Sequence, residues 1–238
     1  GLGIAIWLIY TTDHLLDAKK VKAAAVNPRH AFHQKYFTII VIAAIVAFGF
    51  GLWNISFLGM ETIKFGGILI FSVFIYFATI RMVDRESLLH KEITAAIIYC
   101  FGIFAGPLSL TYSISTSAAF LFVQFLTVVL LNLLIFPLYE IETDKEDQMN
   151  SLPISIGKEK VNRMINQLLV LSLLLATISL TGVGFFPNDK TWVMGQFVIL
   201  LMVGVLLVLA LWPDYFRKWG LYRILGDGIF FLPLLSLL

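Results

Sequence analysis

Long apolar runs recur along nearly the whole chain, and they restrict its possible folds more than any other feature. A helix needs roughly 20 apolar residues to cross a bilayer. Charged residues make up 13% of the 238 residues, about half the share in a soluble domain. Eight apolar segments are visible, at about residues 1–16, 35–55, 62–83, 92–112, 116–139, 163–186, 191–212 and 221–238. We therefore predict an all-α fold, a polytopic transmembrane helical bundle, with residues 1–238 forming one domain.

The first apolar segment is short for a membrane span. It begins at Gly1 and meets its first charged residue at Asp13, which leaves fewer apolar residues than a crossing needs. We expect further sequence, including one helix, to precede Gly1 in the intact protein.

The connections between the apolar segments alternate between brief and strongly charged. The charged connections cover residues 17–35, 81–92, 141–163 and 213–223, and the brief ones cover 54–64, 111–117 and 185–192. Of the 17 Lys and Arg residues, Lys64 and Lys190 are the two on the brief side. Because basic residues concentrate on the cytoplasmic side of membrane proteins, we predict an integral protein of the bacterial inner membrane, whose active site faces the cytoplasm.

Two pairs of acidic residues stand where an apolar run gives way to a charged connection. Asp13 and Asp17 form the first pair, and Glu140 and Asp144 form the second. Within each pair the spacing is four residues, so on a helix both carboxylates lie on one face. Four apolar segments separate the pairs, which returns the chain to the same side of the bilayer. Acids near helix C-termini oppose the helix dipole, and we expect a positive group to sit between the pairs.

Such a pair of carboxylate sites suits a metal-bound diphosphate. Magnesium takes oxygen ligands, usually one or two carboxylates together with substrate phosphates. We predict Asp13, Asp17, Glu140 and Asp144 as metal ligands for Mg²⁺. Cationic side chains in the charged connections could neutralise the diphosphate, and the candidates are Lys19, Arg29, Lys91 and Lys145. The apolar interior would hold a hydrocarbon tail.

Other classes of site are disfavoured by composition. A net charge of +2 gives no reason to expect nucleic acid, and the single cysteine, Cys100, excludes disulfides and cysteine metal sites. His30 and His33 have metal-like spacing, but their basic surroundings make a histidine metal site a weak hypothesis. We interpret Asp147, in the loop after the second pair, as a solvated charge that could also assist the pair.

The motifs resemble those of the UbiA superfamily of intramembrane prenyltransferases. YTTDHLLD at residues 10–17 is similar to the latter part of the family's first aspartate motif, and EIETD followed by SLPISIG at residues 140–157 is similar to its second. The resemblance implies a nine-helix bundle and Mg²⁺-dependent transfer of a prenyl group from a prenyl diphosphate to an acceptor. The acceptor would be hydrophobic or aromatic, and its identity has no motif in the sequence.

The sequence departs from the family pattern in both motifs. Ile9 and Tyr10 stand where the family has Asn and Asp, and Glu140 replaces an Asp. We therefore expect the first motif to hold metal more weakly than usual. Two alternatives stay open beside the enzyme: a catalytically weak or silent family member that acts as a lipid-binding subunit, and a small-molecule transporter.

Overall fold

The computed structural model describes residues 1–82, 88–110, 115–182, 186 and 189–237, and parts of three predicted connections lie outside these ranges. The described chain is predominantly helical, as the apolar runs predict. Its α-helices are α1 (Leu2–Lys20), α2 (Pro28–Lys35), α3 (Phe37–Ile55), α4 (Met60–Met82), α5 (Leu88–Leu110), α6 (Thr116–Glu146), α7 (Leu152–Ile156), α8 (Lys158–Thr181), α9 (Lys190–Leu211), α10 (Pro213–Arg217) and α11 (Leu221–Gly228). Two 3₁₀ segments, Lys218–Gly220 and Ile229–Leu237, follow α10 and α11.

Six helices of the described chain are long and apolar enough to cross a membrane: α3, α4, α5, α6, α8 and α9. The sequence predicts eight such segments, and the two that differ lie at the ends. The helix α1 carries Asp13, Asp17 and two lysines within its last eight residues. The last segment divides into α11 and a 3₁₀ stretch that contains Pro233. A membrane-embedded helical bundle is therefore supported, whereas the count of eight stays a prediction.

The chain forms two compact units, each assembled from three stretches of sequence. Unit 1 contains Gly1–Arg85, Phe101–Tyr112 and Glu140–Ser151, and unit 2 contains Glu86–Cys100, Ser113–Tyr139 and Leu152–Leu238. In unit 1, α1 packs against both α2 and α3. No residue of α3, all of which is described, is buried, as expected for a helix that lipid surrounds.

Unit 2 has a core of apolar side chains that encloses a few neutral polar groups. The amides of Gln124 on α6 and Gln196 on α9 exchange two hydrogen bonds, of 2.8 and 3.1 Å. The Tyr139 hydroxyl donates to the Leu209 carbonyl oxygen at 2.6 Å. Inside a bilayer no water satisfies such groups, so they must bond to one another. These contacts tie α6 to α9 within unit 2.

Candidate functional site

Three acidic side chains are gathered at the C-terminal end of α6. Glu140 and Asp144 lie one turn apart on the helix, and Asp147 follows directly after its last residue. They are 6%, 5% and 6% exposed, respectively. We call these three residues the acidic cluster. Buried carboxylates need hydrogen bonds or opposite charges around them, so their partners define the site.

Backbone hydrogen bonds fix the helix end that carries the acidic cluster. Gln148 adopts a left-handed conformation, with φ of 55°. The Met149 N–H donates to the Asp144 carbonyl oxygen at 2.8 Å, and the Gln148 N–H donates to that of Lys145 at 3.1 Å. This is the Schellman pattern, which satisfies carbonyl groups that have no partner inside the helix. The three carboxylates therefore stand on a well-defined end of α6.

The loop between α1 and α2 is organised by one side chain, that of Gln34 on α2. Its Oε1 accepts from the Ala25 N–H at 3.0 Å. Its Nε2 contacts three backbone carbonyl oxygens at 3.1–3.2 Å, those of Ala18, Val21 and Ala23. One amide thus replaces the hydrogen bonds that a regular element would supply. This arrangement presents the start of α2 to the acidic cluster.

Asn27 begins α2 and contacts the acidic cluster with its side chain. Its Oδ1 accepts from the Arg29 N–H at 3.0 Å and caps the helix, and Pro28 follows at the first helical position. Asparagine as the cap followed by proline is a common helix start. The Asn27 Nδ2 donates to Glu140 Oε2 at 3.1 Å and to Asp144 Oδ1 at 3.4 Å. A single amide nitrogen therefore lies within reach of both carboxylates.

The Asp147 carboxylate anchors the same segment through its backbone. It accepts from the N–H groups of Val26 at 2.6 Å and Asn27 at 3.1 Å. Its Oδ2 is also 3.1 Å from Nδ1 of His30, which is buried. Burial alone would raise the pKa of Asp147, but the hydrogen bonds from Val26, His30 and Asn27 outweigh it and lower that pKa below its usual value. Asp147 is therefore held as a carboxylate.

The Arg29 guanidinium links α1, α2 and α6. Its Nη1 is 3.5 Å from Nε2 of His14 on α1, and its Nη2 is 3.3 Å from Nε2 of His30 and 3.5 Å from Oε2 of Glu140. A guanidinium can only donate, so we assign both Nε2 atoms as unprotonated acceptors. His30 then carries its proton on Nδ1 and donates it to Asp147. Arg29 thus lies between Glu140 of the second acidic pair and His14, which stands between the two acids of the first pair in the sequence.

The first acidic pair lies on α1 on either side of His14, and both acids have contacts of their own. Asp17 is buried and its Oδ1 accepts from Lys20 Nζ at 2.8 Å. The Asp13 carboxylate lies 3.9 Å from Nδ1 of His14. The Tyr10 ring packs on the His14 ring, with 3.9 Å between the centroids. Tyr10, which stands where the resemblance predicts an aspartate, therefore has a packing partner one turn along the helix.

The basic residues predicted to contact a diphosphate have different surroundings. Arg29 lies at the acidic cluster. Lys19 and Lys145 are exposed in the last turns of α1 and α6. Lys91 lies on α5 and belongs to unit 2, whereas the other three belong to unit 1. Within the described part of unit 1, Arg29 is the predicted cation that contacts the acidic cluster.

Several residues of the site were not identified from the sequence. The expectation that Asp147 is a solvated loop residue is wrong, since it is buried and accepts three hydrogen bonds. Asn27 and His14 were not considered, and His30 was considered as a metal ligand only. The dipeptide Asn27–Pro28 is a helix-start signal and could have located α2. Nothing local indicates that this start would meet residues more than 100 positions away.

The acidic cluster offers hard oxygen ligands of the kind that Mg²⁺ takes. Glu140 and Asp144 direct one oxygen each toward the same nitrogen of Asn27, so two carboxylates converge on one positively polarised group. Among the described residues there is no group of three or more His, Cys, Asp or Glu side chains arranged around a common metal position. Of the acids in the acidic cluster, Glu140 and Asp144 are the two whose oxygens converge in this way.

Comparison with known proteins identifies no relative. No family model, no curated protein and no solved structure matches the chain.

Proposed function

We propose that this chain is a membrane transferase that binds a prenyl diphosphate at the charged end of unit 1 and transfers its prenyl group to a hydrophobic acceptor. The observation that carries the proposal is the convergence of Glu140 and Asp144 beside Arg29. Carboxylates and a guanidinium are the groups that would hold a magnesium diphosphate, the acids through the cation and the arginine through phosphate oxygens.

The Arg29 side chain has an atom suited to a phosphate. Its Nε–H is buried and has no hydrogen-bond partner among the described residues. A buried donor without a partner is costly, and a phosphate oxygen would satisfy it. The side chain as a whole is 25% exposed, so a ligand from the aqueous side can reach the guanidinium, whereas Nε itself is buried. This supports the predicted role of Arg29 in diphosphate binding.

The reaction would exchange one bond to the prenyl group for another. The bond between C1 and the diphosphate oxygen breaks and diphosphate leaves with the electron pair. The acceptor's nucleophilic atom bonds to C1 and gives up its proton, which the departing diphosphate or water would take. Bound Mg²⁺ would stabilise the negative charge on the departing diphosphate. Arg29 would stabilise the same charge by hydrogen bonding, and the exposed apolar helices would place the prenyl chain in lipid.

The proposal is tested by binding and diphosphate release. The purified chain is given prenyl diphosphates of increasing length, with Mg²⁺ or with EDTA. We expect Mg²⁺-dependent binding and slow diphosphate release even without an acceptor. Asp144→Asn and Asp17→Asn should each weaken binding by at least about tenfold. The double variant should add little, because groups that act as one unit are not additive. Asp214→Asn, an exposed acid on α10, is the matched control and should have no effect.

A non-catalytic lipid-binding subunit is the second candidate. It is favoured by the contacts that Glu140 and Asp144 already make with Asn27 and Arg29, since carboxylates satisfied from within need no cation. Prenyl diphosphate binding without release, under every metal condition, would support this candidate. Absence of any prenyl diphosphate binding would contradict both candidates and leave the small-molecule transporter as the alternative.

A further inference from the structure

The two ends of the Asn27 side chain have separate partners. The oxygen caps α2 by accepting from the Arg29 N–H, and the nitrogen donates to Glu140 and Asp144. An amide nitrogen carries two hydrogens, so it can serve both carboxylates at once. Because cap and donor are different atoms, a substitution can remove one and keep the other.

The amide nitrogen occupies the space between the carboxylates that the proposed cation would need. It lies 3.1 Å from Glu140 Oε2 and 3.4 Å from Asp144 Oδ1. Magnesium binds oxygens at about 2.0–2.1 Å and requires a nearly complete shell around it. The nitrogen and the cation would therefore compete for the same two acids. Without a cation, the amide keeps two buried carboxylates satisfied.

The backbone at Asn27 is held independently of its side chain. Asp147 accepts from the N–H groups of both Val26 and Asn27, and Gln34 holds the preceding Ala25 N–H. The side chain can leave the carboxylates while the main chain stays in place. Departure would, however, cost α2 its cap, because the Asn27 oxygen accepts from the N–H of Arg29, the second residue of that helix.

We propose that Asn27 is an internal competitor of the cation, and that its amide determines how tightly Glu140 and Asp144 bind a divalent metal. The inference rests on the proposed function, because it takes these acids as cation ligands. A cation must displace the amide before the acids can hold it. Asn27 therefore raises the cation concentration at which the two carboxylates are half occupied.

The test uses Asn27→Ser, because serine is a good helix cap and lacks the amide. Binding of Mn²⁺ to the full chain in detergent is measured by electron paramagnetic resonance, with and without inorganic diphosphate. We expect Asn27→Ser to bind Mn²⁺ about tenfold more tightly than the wild type, since a hydrogen-bonded competitor of a charged group is removed. Asn54→Ser is the matched control. Its Nδ2 donates to the Phe50 carbonyl oxygen in α3, and we expect its Mn²⁺ affinity to equal that of the wild type.

A second variant, Asn27→Gly, shows whether a result depends on a folding defect of Asn27→Ser, since glycine is also accepted at a helix cap. Tighter binding should disappear from either variant when Glu140→Gln and Asp144→Asn are added. If the wild type binds Mn²⁺ through these acids and both Asn27 variants bind no more tightly, Asn27 organises the acids instead and the competitor proposal is wrong. If neither the wild type nor the variants bind Mn²⁺ in any condition, the proposed function and this inference fail together.

Discussion

At the scale of single residues, the Asp147 carboxylate determines how the α1–α2 loop meets α6. It accepts from two backbone N–H groups and from His30. Asparagine at this position keeps one acceptor oxygen but loses the negative charge. Its amide NH₂ group, which can only donate, would face N–H donors. We expect Asp147→Asn to lower the free energy of unfolding by about 1.5–3 kcal/mol, the usual contribution of hydrogen bonds to a charged group. Denaturation in detergent measures the free energy of unfolding. The control is Glu146→Gln, at an exposed neighbouring position, which should change this free energy very little.

The same carboxylate predicts a pH dependence whose sign is fixed. The pKa of Asp147 is lower in the folded protein than its usual value, and an unperturbed aspartate has a pKa of about 3.9. The unfolded chain thus takes up the proton first as the pH falls. The stabilisation is complete above about pH 4 and is lost as the pH falls through the folded pKa. The stability difference between wild type and Asp147→Asn should shrink in this range. A difference that stays constant down to pH 3 would contradict this account.

At the scale of elements, the termini of α6 and α8 explain the SLPISIG motif and its surroundings. Residues 152–156 form the short helix α7, and Gly157 precedes α8 with φ of 92°. A residue with a Cβ is strained there, which accounts for glycine at the end of the motif. The sequence alone could place this glycine near a turn. Its conformation depends on the way α7 and α8 pack, which no local pattern specifies.

Gln148, at the end of α6, offers a test of this helix end. It is a non-glycine residue with positive φ, which costs an L-residue about 1 kcal/mol. We expect Gln148→Gly to raise the free energy of unfolding by up to about 1 kcal/mol, reduced by glycine's larger entropy loss on folding. Gln148→Val should be destabilising, since branched side chains tolerate this conformation least. Thermal unfolding of the wild type and the two variants in one detergent gives the order of their stabilities. Equal stability of the three would mean that α6 does not end in this way.

At the scale of the whole molecule, the charge distribution predicts which loops share a membrane side. Cysteine residues introduced at Ala25 and Ser155, in a background of Cys100→Ser, should react with an impermeant thiol reagent from the cytoplasmic side. A cysteine at Gly59, between α3 and α4, should react from the opposite side. The reason is the concentration of Lys and Arg on one side. If Ala25 and Ser155 were labelled from opposite sides, the proposed joint action of the two acidic pairs would fail.

The sequence predicted some parts of this molecule far better than others. Apolar runs located the helices because a membrane-spanning helix needs a continuous hydrophobic segment whatever its packing partners are. The i, i+4 acids could be placed at helix ends because they stand where an apolar run meets a charged connection, which is also a local signal. The contact of Asn27 with Glu140 joins residues 113 positions apart, and no periodicity encodes that. The ends of the chain were also harder, because Asp13 and Pro233 interrupt otherwise apolar segments.

The dependence of the α1–α2 loop on Gln34 has a consequence for proteolysis. This loop follows Lys19 and Lys20 and contains Lys22, so it presents trypsin sites where the backbone has little hydrogen bonding of its own. A protease cuts only a segment that can leave its native path and enter the enzyme's cleft. Residues 18–25 reach that state when the Gln34 amide releases its four backbone partners. The rate of tryptic cleavage at this loop therefore reports how often the loop opens, without any ligand or assay of function.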